Sequence, residues 1–575
     1  MEASSPQTSL TPSSDVDVSP RDALSAARRP TAAWKHPSVW APTLLLAGLY
    51  ALLGARGWLP FHTNDDVAII GILRGVPAVA PSGFTLQLSP WYGEVLAFLY
   101  RSWPSGHWYE LAILACYVLS FGWILRSMRR NGWTLTRMLL AMVTGIMGFL
   151  LWQPGFTLVA QFLTAAAVAP LITQLPSKPL RSLSRGEVSV SIVLLLLGIG
   201  YRVDAAGLAL GVATVGFAIL RGREMLGRNR EAWRAMAMLA VLFGVVLAGW
   251  ITSAAIPASP QAARWREYNA RRAAILDYSA AVYQPAWEKS LGLSRNDFDI
   301  LTNHMAMDFG PFRLERLKMI PLNAPSLTLR EVVSTVMTSM GPEAFIILAA
   351  VALACLFRPR LLPVAGSTLL ILCLIQWRYD RLPPRVLLPP LGLLAMMSVG
   401  AIGRPQGLGR WFCCHATVGL VLSASWVVSQ SLPSQLAWIR RSDRNESRVR
   451  QFCNAHGIDR LLFWNGNPGS LLLFRDPAGC APISYGLGGW DSSHPAKLAA
   501  GRKDFGDDLF AGICRPGTYH CLVGTPARHL TLKVLFKEHG LPHTRLNAVS
   551  QYKDAVIYHV VSNDEPASQP VQSGL

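Results

Sequence analysis

Residues His62-Thr-Asn-Asp-Asp-Val-Ala-Ile69, "HTNDDVAI", set two adjacent carboxylates just beyond the apolar run "LLLAGLYALLGARGWLP" (44–60). The stretch reads first as a helix start. Asn64 then serves as N-cap, and Asp65 and Asp66 sit in the first turn before "VAIIGIL", where negative charge suits the positive end of the helix dipole. The same pair also offers a proton acceptor, or a group that organises a metal or a sugar, close to an apolar segment. What kind of chain surrounds it bears on which reading applies.

The chain has 575 residues, 51% of them hydrophobic and only 15% charged, with a mean hydropathy of +0.30. That is too apolar for an ordinary soluble protein and indicates a polytopic membrane protein surrounded by membrane lipids. The net charge of +19 is dispersed in short clusters between apolar runs, which argues against a nucleic-acid partner. Residues 1–38, rich in Ser, Pro, Thr and Ala, read as a disordered basic tail on the cytoplasmic side. They lack the order of a cleavable signal peptide.

Apolar runs at 39–56, 107–125, 135–153, 156–174, 187–202, 205–220, 235–254, 341–357, 361–377, 386–402 and 411–430 predict about eleven transmembrane helices, some of them short. With the N-terminus inside, the basic loops 126–132, 176–186, 221–234, 358–360 and 403–410 all fall in the cytoplasm, as the positive-inside rule requires. The exception is "WRYDRLPPR" (377–385), which falls outside and asks for an anionic partner. The segment "LSPWYGEVLAFLYRSW" (88–103), with Glu94 inside it, reads as an interfacial or re-entrant helix, because counting it as a span inverts the later loops. External loops then cover 57–106 and 255–340, within a membrane domain of 39–430.

Residues 431–563 change character. "IDRLLFWNG", "GTYHCLVG" and "DAVIYHVVS" read as strands and "ARHLTLKVLFKEHG" as an amphipathic helix, giving a C-terminal α/β domain on the periplasmic face, with 564–575 a frayed tail. An external compartment permits disulfides among Cys453, Cys480, Cys514 and Cys521, with three possible pairings. In this domain Trp464 and Trp490 read more readily as buried rings than as sugar-stacking platforms.

The stretches "NDDVAIIGILRGVPAVAP" (64–81), "YNARRAAILDYSAAVYQPAWEKSLGLSRNDFD" (268–299) and "RLPPRVLLPP" (381–390) carry a resemblance. The chain resembles the GT-C superfamily of polytopic membrane glycosyltransferases, and within it bacterial members that look like arabinofuranosyltransferases of envelope glycans or pilin. Phe298 departs from the pattern, which has tyrosine there. The resemblance covers most of the chain from about residue 40. It implies an all-α polytopic membrane domain of GT-C type with an external C-terminal domain, sited in a bacterial inner membrane. It also implies inverting transfer of a sugar from a polyprenyl-phosphate donor to a glycan, lipid or protein acceptor, with an aspartate of the first external loop as base.

Such a reaction needs a base for the acceptor hydroxyl and cations for the leaving phosphate. Asp65 and Asp66 are the catalytic candidates, with Asp65 favoured as base and Asp66 as its orienting partner. Arg202, at the turn between two spans, and Arg378, Arg381 and Arg385, in the basic exception, are the candidates for the donor phosphate. The rival reading of Arg202 is a snorkelling side chain, and of the other three an ordinary salt-bridged loop. Asn64, Glu94, Tyr268, Asn269, Arg272, Asp277 and His304 are candidate substrate contacts, with Arg271 an alternative to Arg272 and Asp277 and Asp297 holding the large loop together. His304 and Asp308 stand four residues apart, a spacing compatible with a divalent cation or with a simple hydrogen bond. Two ligands specify no ion, so no metal and no cofactor is assigned. A transporter or flippase for envelope lipids and a noncatalytic envelope assembly protein are the alternatives. The first calls for mid-span charges, broken helices or an internal repeat, which are not evident here.

Overall fold

The computed structural model describes residues 37–76, 80–175, 180–227, 229–255, 259–278, 281–305, 307–322, 327–402, 408–464, 472–474, 483–541, 543–552 and 555–564. The N-terminal tail up to residue 36, Cys480, most of "FWNGNPG" and all but the first residue of the C-terminal tail lie outside them.

The membrane part begins with α1 (Pro37–Ala55), α2 (Asn64–Arg74), α3 (Pro90–Ser102) and α4 (Trp108–Arg130). It continues with α5 (Leu135–Phe149), α6 (Phe156–Ile172), α7 (Arg185–Tyr201), α8 (Val203–Leu226) and α9 (Arg230–Ala255). The segment 260–338 supplies α10 (Pro260–Leu276), α11 (Ala286–Leu291), α12 (Arg295–Thr302), α13 (Leu314–Met319) and α14 (Leu329–Thr338). The chain then returns through α15 (Pro342–Phe357), α16 (Leu362–Tyr379), α17 (Pro384–Ala401) and the 48-residue α18 (Leu408–Ala455).

Among the described residues six helices, α1, α4, α8, α9, α16 and α17, are long and apolar enough to cross a membrane, or seven if α14 and α15, bent by 103°, count as one span. This is fewer than the eleven spans expected from hydropathy. The runs at 135–153, 156–174 and 187–202 form helices of 15, 17 and 17 residues. At about 1.5 Å per residue these reach 26 Å at most, short of a hydrocarbon core of about 30 Å. The run at 411–430 is absorbed into α18. Every residue of α6 is buried, so it is the central post of the bundle. α3, only 13 residues long, leaves Trp91, Val95 and Phe98 exposed on one side while burying Tyr92, Leu96 and Tyr100.

Small residues and polar plugs set the packing of the bundle. A Cβ on Gly148 of α5 would lie 2.6 Å from the Gly392 Cα of α17, so these helices meet backbone to backbone. Pro389 in α17 has no N–H to offer the carbonyl of Arg385, and the Gln161 amide of α6 donates to that carbonyl at 3.0 Å instead. The carbonyl left over by the proline thus bonds α17 to the buried post.

The basic loops gather at one end. Arg130 and Arg181 reach Glu187 at 2.7 and 3.0 Å. Arg221 donates to the carbonyls of Gln174 and Leu175, and Arg137 to that of Gly400. Ala354, Leu361 and Ile402 pack together with Leu220 beside them. The described parts of the loops 126–132, 176–186, 221–234 and 358–360 therefore share one end of the bundle, and the acidic stretch lies at the other; residues 403–407 of the fifth loop lie outside the described residues.

At that other end, 260–320 and the C-terminal region share a core. Tyr268, Ile275, Trp287, Leu301, Phe312 and Leu317 cluster with Leu462, Trp464, Leu522 and Leu535. The C-terminal sheet has the order β2-β1-β3-β5-β4. β1 (Arg460–Trp464) pairs in parallel with β2 (Ile483–Leu487) and β3 (Tyr519–Val523). β5 (Ala555–Ser562) runs antiparallel to β3 and to β4 (Thr544–Tyr552). The three strands and the helix read from the sequence appear as β1, β3, β5 and α21 (Pro526–His539), after α19 (Pro495–Phe505) and α20 (Leu509–Ile513). Cys453, Cys514 and Cys521 are buried and form no disulfide among the described residues. Trp464 is fully buried and donates its N–H to His520 Nδ1 at 2.8 Å.

Candidate active site

The N-cap of α2 is Thr63, whose backbone is extended (φ −137°, ψ 158°); Asn64 is already the first helical residue and is exposed. This corrects the assignment of Asn64 as cap. Asp65 and Asp66 follow in the first turn and point to different surroundings.

Asp66 is fully buried. Its carboxylate accepts from the Tyr109 hydroxyl at 2.8 Å, from the Phe156 backbone N–H at 3.0 Å and from the Thr63 hydroxyl at 3.1 Å. The Phe156 N–H is one of the donors left over at the N-terminus of α6, so the carboxylate also caps the central post. Burial pushes the Asp66 carboxyl up to about 7, against the pull of these donors. Gly155 leaves the necessary room, since a Cβ there would lie 3.2 Å from Asp66 Oδ2. Beside it His62 pairs with the Gln153 side chain at 3.1 Å, and burial pushes its imidazole down to about 4.

Asp65 is the reachable member of the pair, with 21% of its side chain exposed. One oxygen takes the Arg385 guanidinium at 3.4 Å, and the other accepts the Trp490 indole N–H at 3.0 Å. Arg202 and Arg381 lie within electrostatic reach of Arg385, and Arg202 within reach of Asp65. Arg202 is held by Asp204 at 2.8 Å and by the Thr157 hydroxyl at 3.1 Å. Arg381 pairs with Asp277. Arg272, on α10, reaches His304 Nδ1 at 3.5 Å, and burial followed by the Arg272 charge lowers the His304 imidazole below its ordinary range. Asp277 and Arg381 both act on His304, so these four residues form a second group within electrostatic reach of the first.

Other sequence candidates lie elsewhere. Glu94 is more than half exposed and ties the Gly83 N–H to Arg101, a loop clasp with no contact to the aspartates. Arg378 is exposed and stacks over its neighbour Tyr379 at 5.4 Å. Arg271 donates to the carbonyls of Leu317 and Lys318. Tyr268 is fully buried in the shared core, and Asn269 bonds the carbonyl of Trp265 and the Arg272 side chain. Asp308 pairs with Arg264 at 2.7 Å, so the i,i+4 partnership with His304 does not form; His304 sits in a left-handed turn (φ 59°) facing Arg272.

Sequence reasoning missed the role of Trp490. Gly488 and Gly489 adopt φ of 98° and 80°, and a Cβ on Gly488 would sit 2.2 Å from the His304 carbonyl oxygen. That carbonyl accepts the Gly489 N–H at 3.0 Å, and the Trp490 carbonyl accepts the Trp265 indole N–H at 3.0 Å. His494 closes the loop by bonding the Phe84 carbonyl at 3.1 Å. The C-terminal region thus lays one loop over Asp65, and the paired glycines ahead of a tryptophan are the signal in the sequence.

No family model and no curated protein matches the chain. Among solved structures it is similar to ArnT from Cupriavidus metallidurans bound to undecaprenyl phosphate, at TM-score 0.35 and 13% identity over 89% of this chain and 97% of that one. The same protein in the apo state gives TM-score 0.32 and 12% identity over the same shares. A likeness this distant does not bear on the reading of the site.

Proposed function

We propose that the chain is a membrane glycosyltransferase that moves a sugar from a polyprenyl-phosphate donor to an acceptor hydroxyl, with inversion and with Asp65 as base. The observation that carries this reading is the split environment of the pair: a reachable Asp65 flanked by Arg385 and Trp490 beside a sealed Asp66. A base needs access to its proton, and Asp65 has it. A carboxylate buried with three donors has its position fixed, which suits Asp66 as the anchor of α2 on α6.

In the proposed step the acceptor oxygen attacks the anomeric carbon as the bond from that carbon to the phosphate oxygen breaks. The hydroxyl proton passes to Asp65, and polyprenyl phosphate leaves. Arg385 and Arg202, with Arg381 within electrostatic reach of Arg385, supply positive charge for the leaving phosphate. Arg385 bonds Asp65 in the resting site, and its turn toward an incoming phosphate would free the carboxylate for the acceptor. The acceptor enters in this account from the side of the 260–320 segment and the C-terminal region, where Arg272, His304 and Asp277 line up. The basic loops at the opposite end support an extracytoplasmic placement of this end.

The test is release of polyprenyl phosphate from a panel of synthetic polyprenyl-phosphate sugars by protein purified in lipid. Turnover of at least one donor is expected, with Asp65→Asn reducing it by about 10² or more, within the contribution usual for a positioned base. No release from any donor, or equal turnover in Asp65→Asn, contradicts the proposal.

A further inference from the structure

We propose that Asp297, Glu538 and His539 form a binding site for a divalent transition-metal ion of the Zn²⁺ class, clipping the 281–320 segment to the C-terminal α/β domain. One ligand atom from each of the three lies within 4.8 Å of the other two. Donors sharing one ion at about 2.0–2.2 Å stand no more than about 4.4 Å apart, so only a small adjustment brings them onto a common centre.

The second observation is a buried oxygen with nothing to bond. Asp297 is fully buried; its Oδ2 lies 2.8 Å from His539 Nε2 and accepts the Ser294 N–H at 2.9 Å, while its Oδ1 is buried without a hydrogen-bond partner. A carboxylate oxygen removed from water and left without a donor is costly, and a cation bound at the cluster answers it. A simple Asp297–His539 ion pair satisfies Oδ2 and leaves Oδ1 as it stands. The Ser294 hydroxyl, donating to Glu538 at 2.8 Å, orients the third ligand in the way outer-shell groups do. One imidazole with two carboxylates suits Zn²⁺ and its neighbours better than Mg²⁺ or Ca²⁺, which prefer all-oxygen sets.

Asp297 lies in the first turn of α12, and His539 ends α21. Two residues beyond α12 stands His304, whose carbonyl holds Gly489 next to Trp490. An ion here would fix the register of the segment that faces Asp65, whatever chemistry that site performs.

The test uses tag-free full-length protein in detergent, stripped with a chelator and titrated with Co²⁺ as a spectroscopic probe. Visible d–d bands saturating near one equivalent and displaced by Zn²⁺ are expected. Asp297→Asn and Glu538→Gln are expected to weaken binding by at least about 10-fold, the scale that even outer-shell changes reach. A His539→Cys variant should keep the bands and add a sulfur-to-cobalt charge-transfer band, which places the ion at this residue. Absence of saturable bands in the wild-type protein overturns the proposal without recourse to any variant. So do wild-type bands that persist unchanged in the substituted proteins, or a His539→Cys variant with d–d bands and no charge-transfer band.

Discussion

At the scale of single residues, the two aspartates of "HTNDDVAI" differ in what they can lose. Asp66 carries a carboxyl pushed up to about 7, so the fold favours its neutral form relative to the unfolded chain. The stabilisation this provides is complete below about pH 4 and is lost as pH rises to about 7. The melting temperature of Asp66→Asn, followed from pH 4 to 8, should therefore approach that of the wild type as pH rises. At the acid end of this range the variant should be the less stable protein, by about 1–3 kcal/mol or more, because an amide nitrogen replaces one of the oxygens that accept from Tyr109, Phe156 and Thr63. Trp490→Phe keeps the ring and removes the N–H that holds Asp65. About a tenfold fall in turnover with little change in melting temperature is expected, as for loss of one hydrogen bond to a charged group. An unchanged rate would reduce Trp490 to packing. The residue types of this site were legible in the sequence, since the acidic pair and the arginines interrupt apolar runs. The indole 425 residues away was not, because chain separation says nothing of contacts created by docking one region on another.

Elements follow the same division. Hydropathy located the helices, yet length and apolarity could not tell a lipid-facing span from the central post, because α6 is apolar through burial in protein. The helical period does account for α10, where Tyr268, Arg272 and Ile275, spaced i, i+4, i+7, are all buried on one side. Close contacts between elements make a direct prediction. Gly148→Leu must push α5 off α17, where only 2.6 Å separates a Cβ from the Gly392 backbone. A cost of about 1–3 kcal/mol or more is expected. Gly366→Ala, in α16 with open space around its Cβ position, should be neutral or slightly stabilising. Melting temperatures of the two proteins in one detergent make the comparison, and equal values would show that the α5–α17 contact is looser than described.

For the whole molecule, basic loops at one end and the Asp65 site at the other support the proposed sidedness. Single cysteines at Gly132 and Leu226 should resist an impermeant thiol reagent in intact cells, while one at His456 should react, all in a background whose native thiols are accounted for. The reverse pattern would put the site on the cytoplasmic face, away from the proposed envelope acceptors. The central claim, that the chain transfers a sugar from a lipid carrier with Asp65 as base, is tested most directly by mass spectrometry of lipid-linked sugars and envelope glycans. Cells carrying wild-type protein are compared with cells carrying Asp65→Asn at the same membrane abundance. The account predicts that the substituted cells accumulate one polyprenyl-phosphate sugar and lose the glycan built from it, which names donor and acceptor together. Identical lipid and glycan profiles in the two strains would contradict it.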